Sequence, residues 1–314
     1  MVYDQLIVSG SVAYDEIMDF PSYFVKYLNP KMLHQINVSF VVDRLERQLG
    51  GTATNIVYGA RLLTSKKISI LSSIGKDGLA FKSFFKKHKI NLDFLIQDKK
   101  SFSATGKVIT DKGDNQIWGY YHGALAKAAE INLKDNFNDK CFMILSATAP
   151  RAFLSHLDQL IDNKIPYMFD PGMTLTWISP EKLKLGIKFC RFLIGNDYEI
   201  ASIKKVTHWS IQEICSQGIE VITTLGNKGV RYESKRLTID VPGYKISNPV
   251  DPTGAGDAFR GGYLAAFLEG KNMKDCLIWG NALASFSVEK YGTVNYKFTD
   301  KRFCDRVNKI KSLM

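Results

Sequence analysis

Short β-type runs and amphipathic helical stretches take turns along this chain. Gln5–Ser9, Ile68–Ile74, Phe142–Ser146, Tyr167–Phe169, Phe192–Ile194 and Glu220–Leu225 read as strands. Asn55–Leu63, Leu79–His88, Ala152–Ile161 and Ala258–Glu269 carry apolar residues every three to four positions and read as helices. A repeated strand-then-helix order predicts an α/β fold, a mostly parallel central sheet flanked by helices on both faces. Two stretches break the rhythm. Ile36–Val42 is short and β-prone, and Thr105–Ile109 and Gln116–Tyr121 flank Asp111-Lys112-Gly113-Asp114-Asn115, a hairpin-turn sequence. Strands outside the β-α order suit a small separate sheet, and on an enzyme such a sheet is a natural lid.

Apolar residues are 45% of the 314 and charged residues 23%, which permits a substantial core in a globular chain. The net charge of +11 raises the question of a polyanionic partner. The lysines, however, are spread along the whole length. Their one local knot, Lys82–Lys89, fits the solvated face of a helix whose Phe81, Phe84 and Phe85 turn inward. A nucleic-acid-binding protein therefore rests on net charge alone, and no nucleic-acid partner is expected.

Five cysteines, Cys141, Cys190, Cys215, Cys276 and Cys304, lie far apart without a C-x-x-C pair. That pattern points to buried thiols in a reducing cytosol rather than a disulfide frame or zinc site. No apolar run reaches the roughly 20 residues that span a bilayer, and the N-terminus lacks a signal-peptide pattern. A cytoplasmic protein with no membrane partner is the expectation. The histidines at 34, 88, 122, 156 and 208 have no metal-ligand spacing.

The chemistry concentrates in Asp251-Pro252-Thr253-Gly254-Ala255-Gly256-Asp257-Ala258-Phe259-Arg260-Gly261-Gly262. A glycine-lined turn runs here into a carboxylate and then into an apolar helix. The amides of Gly254, Ala255 and Gly256 can point at phosphate oxygens from the helix start. A carboxylate beside an anion site opposes binding unless it has a task. Taking a proton from a hydroxyl that attacks the phosphate is such a task, and it would make Asp257 a general base in a kinase. Read alone, Thr253–Asp257 is also a plain helix cap with Asp257 favourable near the dipole. The chain has neither G-x-x-x-x-G-K-[ST] nor G-x-G-x-x-G.

Other motifs make the match specific. Asp251–Gly262 resembles the C-terminal signature of the ribokinase-like (phosphofructokinase-B) sugar and nucleoside kinases. Gly50-Gly51-Thr52-Ala53-Thr54-Asn55 resembles that family's glycine pair followed by asparagine. Asn196-Asp197-Tyr198-Glu199 is similar to its N-x-x-E motif, and Thr224-Leu225-Gly226-Asn227-Lys228-Gly229 to its T-x-G-x-x-G loop. The four occur in family order and span most of the chain. Phe20-Pro21, Leu33–Asp43 before Gly50-Gly51, Gln116-Ile117, Tyr120-Tyr121 and Gly123-Ala124 further resemble the bacterial adenosine kinases of this type. The resemblance implies a ribokinase-like domain over 1–314 with a Rossmann-like core. It also implies lid strands within roughly 10–50 and 103–124, ATP, Mg²⁺ and phosphorylation of a nucleoside 5′-hydroxyl.

A ribose needs its hydroxyls held by short polar groups. In the family an aspartate at the place of Asp15, in Gly10-Ser11-Val12-Ala13-Tyr14-Asp15, holds two sugar hydroxyls, with Asn55 and the backbone at Gly51 on the same side of the sugar. Ser11 and Gly50 belong to the same substrate-binding set. Read locally, Asp15 is a strand-end turn residue and Gly50-Gly51 a flexible turn. A purine would also need aromatic walls. Trp118 and Tyr120 share one face of their strand and serve either as base wall or as lid core; Phe40 and Phe102 are further candidates. Relatives often carry Gln after D-P-x, where this chain has Met173 after Asp170-Pro171-Gly172, a departure that bears on base preference.

In the family, Asn196 and Glu199 organise Mg²⁺ largely through water; read locally they are a polar helix start. Thr224, Gly226 and Gly229 would line the ATP, and Asn281 is a candidate neighbour of its adenine. Asp251 stands where a monovalent cation such as K⁺ is often bound.

The expected function is ATP- and Mg²⁺-dependent phosphorylation of adenosine to AMP. A broader nucleoside or ribose kinase is the alternative, and a non-catalytic nucleoside-binding protein the rival from another class. Nucleoside and ATP are the expected partners, and the resemblance allows a homodimer formed through the lid.

Overall fold

A computed structural model describes residues 3–28, 35, 37–113, 115–134, 137 and 140–314. Its strands and helices follow in chain order. The first half contains β1 (Gln5–Ser9), β2 (Ala13–Asp19), β3 (Arg44–Gly50), α1 (Thr52–Arg61), β4 (Lys67–Ile74), α2 (Leu79–Lys87), β5 (Leu95–Gln97), β6 (Ala104–Thr110) and β7 (Gln116–Tyr121). The middle continues with β8 (Cys141–Ser146), α3 (Pro150–Asp162), β9 (Tyr167–Asp170), α4 (Pro180–Phe189), β10 (Phe192–Asn196), α5 (Asp197–Thr207), α6 (Ile211–Ser216) and β11 (Glu220–Thr224). A β12 (Val230–Glu233) and β13 (Thr238–Val241) hairpin and helices α7 (Ala255–Leu268), α8 (Met273–Ser287) and α9 (Asp300–Lys311) complete it.

Nine strands form one sheet in the order β13-β12-β11-β10-β9-β8-β1-β4-β5. Pairs from β5 across to β11 are parallel, and β12 and β13 extend that edge antiparallel. Period-two alternation divides each central strand between two cores. Leu6, Val8, Phe142 and Ile144 pack with α1, α7 and α8 on one face. Ile7, Met143, Leu145 and Phe169 pack with α3 and α4 on the other. The strand order reverses at β1, which lies between β4 and β8. Open α/β sheets bind ligands at such a reversal, beyond the carboxyl ends of the strands.

A second sheet has the order β3-β2-β6-β7. The expected hairpin between β6 and β7 is present: Asp111 Oδ1 accepts from the Gly113 and Asn115 amides at 2.8 and 3.0 Å. Asp114 lies outside the described residues, as do Leu33, His34 and Ile36. The expected strand over Ile36–Val42 is corrected. Residues 37–42 are irregular, and the strand is β3. That strand pairs with β2 from Arg44↔Asp19 to Gly50↔Ala13. Its exposed arginines are satisfied by ions, with Arg47 3.5 Å from Glu16, and Leu45 stands exposed between them, so no hydrophobic alternation marks it. Phe40 meanwhile packs edge-on against Phe20 at 4.8 Å, beside Phe24 and Tyr27.

Helix α2 buries Phe81 and Phe85 and partly buries Phe84 beneath its lysine-rich face. Four cysteines are buried, but Cys304 is exposed on α9, whose polar outer face it shares. Among the described residues no helix is long and apolar enough to cross a membrane.

Candidate active site

Helix α7 begins three residues earlier than its apolar spacing suggests, which places Ala255, Gly256 and Asp257 in its first turn. Gly254 is the N-cap with φ +73°, a left-handed backbone that favours glycine. A Cβ there would also lie 2.7 Å from the Thr293 methyl. First-turn amides have no intrahelical acceptor. Of the three residues expected to form an anion cradle, Ala255 donates its N–H to the Pro252 carbonyl at 3.2 Å. Asp251 braces the turn from below: its Oδ1 accepts from Thr253 N at 2.9 Å and its Oδ2 from Gly292 N at 3.0 Å.

Asn55, in α1, reaches across to this turn. Its Nδ2 donates to Asp257 Oδ2 at 2.8 Å. Asn55 is 5% exposed, and among the described residues its Oδ1 is a buried acceptor without a donor. Burial pushes the Asp257 carboxyl up to about 6. Arg260 and the Asn55 bond pull against that rise, while the charges of Asp170 and Glu199 add to it.

Asp15 projects from β2 between two glycines. Gly50 lies so close that a Cβ would clash with Asp15 Oδ2, and a Cβ on Gly106 would sit 3.4 Å from Oδ1. Desolvation raises the Asp15 carboxyl to about 6 as well. Gly51 joins this corner to Asn55, whose amide donates to the Gly51 carbonyl at 3.0 Å. Ser11 is already engaged: its Oγ accepts from Thr52 N at 3.0 Å and ties the β1 loop to the start of α1.

Register sets Tyr120 opposite Gly106, and Gly106 opposite Asp15. The Trp118 and Tyr120 rings therefore share Asp15's face of the small sheet, both 3.5 Å from a Cβ built on Gly106. They are 56% and 42% exposed and present an open aromatic platform on that face. Phe40 is not part of it. It belongs to the aromatic cluster around Phe20, five residues along the chain from Asp15. Phe102 is exposed just before β6, beneath Lys76 Nζ at 4.0 Å. Met173 follows β9 in a short 3₁₀ turn and is 71% exposed.

On the other side, Asn196 and Glu199 form a reciprocal capping box at the start of α5. Glu199 N donates to Asn196 Oδ1 at 2.8 Å and Asn196 N to Glu199 Oε2 at 2.7 Å. The helix-start reading of this pair is thus present in the structure. One carboxylate oxygen of Glu199 remains outside the box, within 4.0 Å of a Cβ built on Gly172. Burial raises the Glu199 carboxyl, Asp170 adds to the rise and Arg260 opposes it.

Thr224 ends β11, and Gly226 and Gly229 bound the turn into β12. Asn281 is buried with its Nδ2 donating to the Val241 and Pro242 carbonyls at 3.2 and 3.1 Å. Val241 and Pro242 also line a hollow of about 380 Å³, together with Leu225, Lys228, Leu313 and Met314.

Sequence reasoning passed over Arg260 and Asp170. Both are buried, and Arg260 Nη2 donates to Asp170 Oδ1 at 2.5 Å. The available signal was a lone basic residue in a helix apolar beyond its first turn, because a buried arginine requires a partner.

Residues 11–300 match the model of the pfkB family of carbohydrate kinases. The chain belongs to this family. As a pfkB kinase it is a phosphotransferase with a sugar or nucleoside alcohol as acceptor. Among the pfkB relatives, the nucleoside kinase of Methanocaldococcus jannaschii is 29% identical over 283 residues, 90% of this chain and 92% of the relative. That of Methanothermobacter thermautotrophicus is 30% identical over 82% of this chain and 84% of the relative. The structure of Burkholderia thailandensis nucleoside kinase in complex with inosine superposes with a TM-score of 0.86 and 26% identity, covering 98% of both chains.

Proposed function

We propose that this pfkB kinase transfers the γ-phosphoryl group of ATP to the 5′-hydroxyl of nucleosides and accepts more than one base. The observation that carries the proposal is the Asn55–Asp257 bond, which ties the glycine-lined helix start to the helix that follows the Asp15–Gly50–Gly51 corner. A ribose whose vicinal hydroxyls meet Asp15 would direct its 5′ end toward Asp257, with the open Asn55 Oδ1 beside it. Asp257 takes the hydroxyl proton as the oxygen–phosphorus bond forms and the bond to the β–γ bridging oxygen breaks, releasing ADP. The amides at Gly254–Gly256 face the transferring charge; for Ala255 this requires release from Pro252.

The Glu199 oxygen that lies outside the capping box is the hard donor that would hold Mg²⁺, through water. When bound, the ion offsets phosphate charge. Thr224, Gly226, Gly229 and Asn281 would hold the adenosine part of ATP around the turn from β11 to β12, next to the hollow that Leu225, Lys228, Val241 and Pro242 line, and an ADP–inosine complex of the B. thailandensis enzyme supports that pairing of ligands. Asp251 braces the cradle where a K⁺ ion would assist.

Base tolerance follows from an exposed aromatic platform with Met173 in place of an amide side chain. Stacking on aromatic faces does not discriminate strongly among bases. The small sheet acts as the lid, and Leu45, Ile117 and Tyr121, exposed on strands of that sheet, suit pairing of two cytoplasmic copies through it. The test is kcat/KM for adenosine, inosine, guanosine, cytidine and ribose. Comparable values for several nucleosides, with ribose far lower, support the proposal. Turnover of ribose alone would contradict it.

A further inference from the structure

Arg260 and Asp170 lie directly beneath the turn that carries Asp257, with side chains only 8% and 4% exposed. The guanidinium bridges two elements. Its Nη2 donates to Asp170 Oδ1 at 2.5 Å, at the end of β9, and its Nη1 donates to the Gly256 carbonyl at 3.0 Å, in the first turn of α7. Asp170 is itself fixed, because its Oδ2 accepts from Ser146 Oγ at 2.6 Å at the end of β8. A continuous line of bonds therefore runs from two central strands to the carbonyl of Gly256, a residue with no side chain to hold it.

Charge supplies the second part. Asp257 is faced by Asn55 from α1, Asp170 from β9, Glu199 from α5, the Tyr296 phenol and, on its own helix, Arg260. Arg260 opposes the two neighbouring carboxylates in a cleft that must also receive a polyanionic nucleotide. A buried ion pair contributes little net stability, because desolvation offsets its attraction. What this pair supplies is a fixed position and a fixed charge.

We propose that Arg260 is a positioning residue for phosphoryl transfer, tying the cradle to the sheet through Asp170 and holding Asp257 charged and aimed. The role presupposes the kinase activity. Its two parts separate by substitution. Lysine at 260 keeps the charge, but a single ammonium cannot reproduce the fixed guanidinium fork between Gly256 and Asp170. Methionine at 260 loses both.

The experiment measures kcat, nucleoside KM and the acid limb of the kcat/KM–pH profile for wild type, Arg260→Lys, Arg260→Met and Asp170→Asn. Melting curves check each fold. Arg260→Met is expected to lower kcat by about 100-fold, the scale of a small misplacement, with nucleoside KM nearly unchanged and the acid limb moved up. Arg260→Lys should return the limb to its wild-type position while kcat stays depressed. Asp170→Asn should move the limb down, since it removes a charge that raises Asp257. Should Arg260→Met not fold, the other two variants decide: wild-type kcat and an unmoved limb in both overturns the role. Lower melting temperatures with unchanged kcat and limb mean a merely structural pair, and overturn it too. A wild-type chain that phosphorylates no nucleoside overturns the kinase activity and this role together, whereas an active wild type with silent variants overturns the role alone.

Discussion

Asn55 Nδ2 donates to Asp257 Oδ2 at 2.8 Å across 202 residues of sequence. The bond joins the helix after Gly50-Gly51 to the helix after Gly254, so the proposed sugar and phosphate ends of the cleft share one hydrogen bond. Asn55→Ala removes it together with the open Oδ1 acceptor. We expect kcat to fall by about 10- to 100-fold, as for a mispositioned reacting group. The acid limb of the profile should move up, because the bond helps keep the carboxyl ionised. Steady-state kinetics across pH check both.

A base works only when ionised. With Asp257 of the ligand-free protein at about 6, kcat/KM for the nucleoside should be flat above neutrality and fall tenfold per pH unit well below 6. A profile flat down to pH 5 would contradict the assignment.

Stability should respond to pH in the opposite sense. The Asp15 and Asp257 carboxyls both stand at about 6, against an ordinary 3.8. The folded chain therefore holds protons between those values that the unfolded chain releases. Their stabilising contribution is present below about 4 and is lost as pH rises through 6. Asp257→Asn and Asp15→Asn should each raise the melting temperature of the ligand-free protein at pH 7.5, by about 1–3 kcal/mol in stability, and flatten its dependence on pH. Unchanged melting in both would mean the carboxyls are not desolvated.

Gly50→Ala places a methyl group against Asp15 Oδ2. Overpacking of this kind costs about 1–3 kcal/mol, and here it should appear as a raised nucleoside KM with the ATP KM unchanged. Equal effects on both substrates would separate Asp15 from the acceptor.

Trp118→Ala tests the platform. Base stacking on an aromatic side chain is worth about 1–3 kcal/mol, so KM should rise at least about fivefold for adenosine and inosine alike, with ribose unaffected.

Much of this was legible before any coordinates. The six strand runs read from the sequence all belong to the large sheet, because parallel strands buried on both faces are apolar throughout. Asp257 stood out beside its glycine-lined turn, while Asp15, Asn55, Gly50 and Gly51 were candidates only through the family resemblance; the structure links Asn55 to Asp257 and to Gly51, and sets Gly50 against Asp15. The small sheet was legible only in β6 and β7. Strand β3 reads Arg-Leu-Glu-Arg-Gln-Leu-Gly, and its arginines pair with Asp19 and Glu16 on β2 and with Asp77 in the loop before α2; no local pattern announces partners that lie so far along the chain. Phe40 misled for a related reason. An exposed excursion needs its own small core, and Phe20, Phe24 and Tyr27 claim the ring. The Arg260–Asp170 pair, 90 residues apart, is likewise a tertiary fact.

Asp257→Asn bears most directly on the central claim. The asparagine keeps the size of the side chain and can still accept from Asn55, but it cannot take a proton. Formation of AMP from adenosine and ATP should fall by about 100- to 10,000-fold, the usual worth of a general base, while calorimetric adenosine affinity stays within about threefold of wild type. Turnover within tenfold of wild type would show that another group removes the proton.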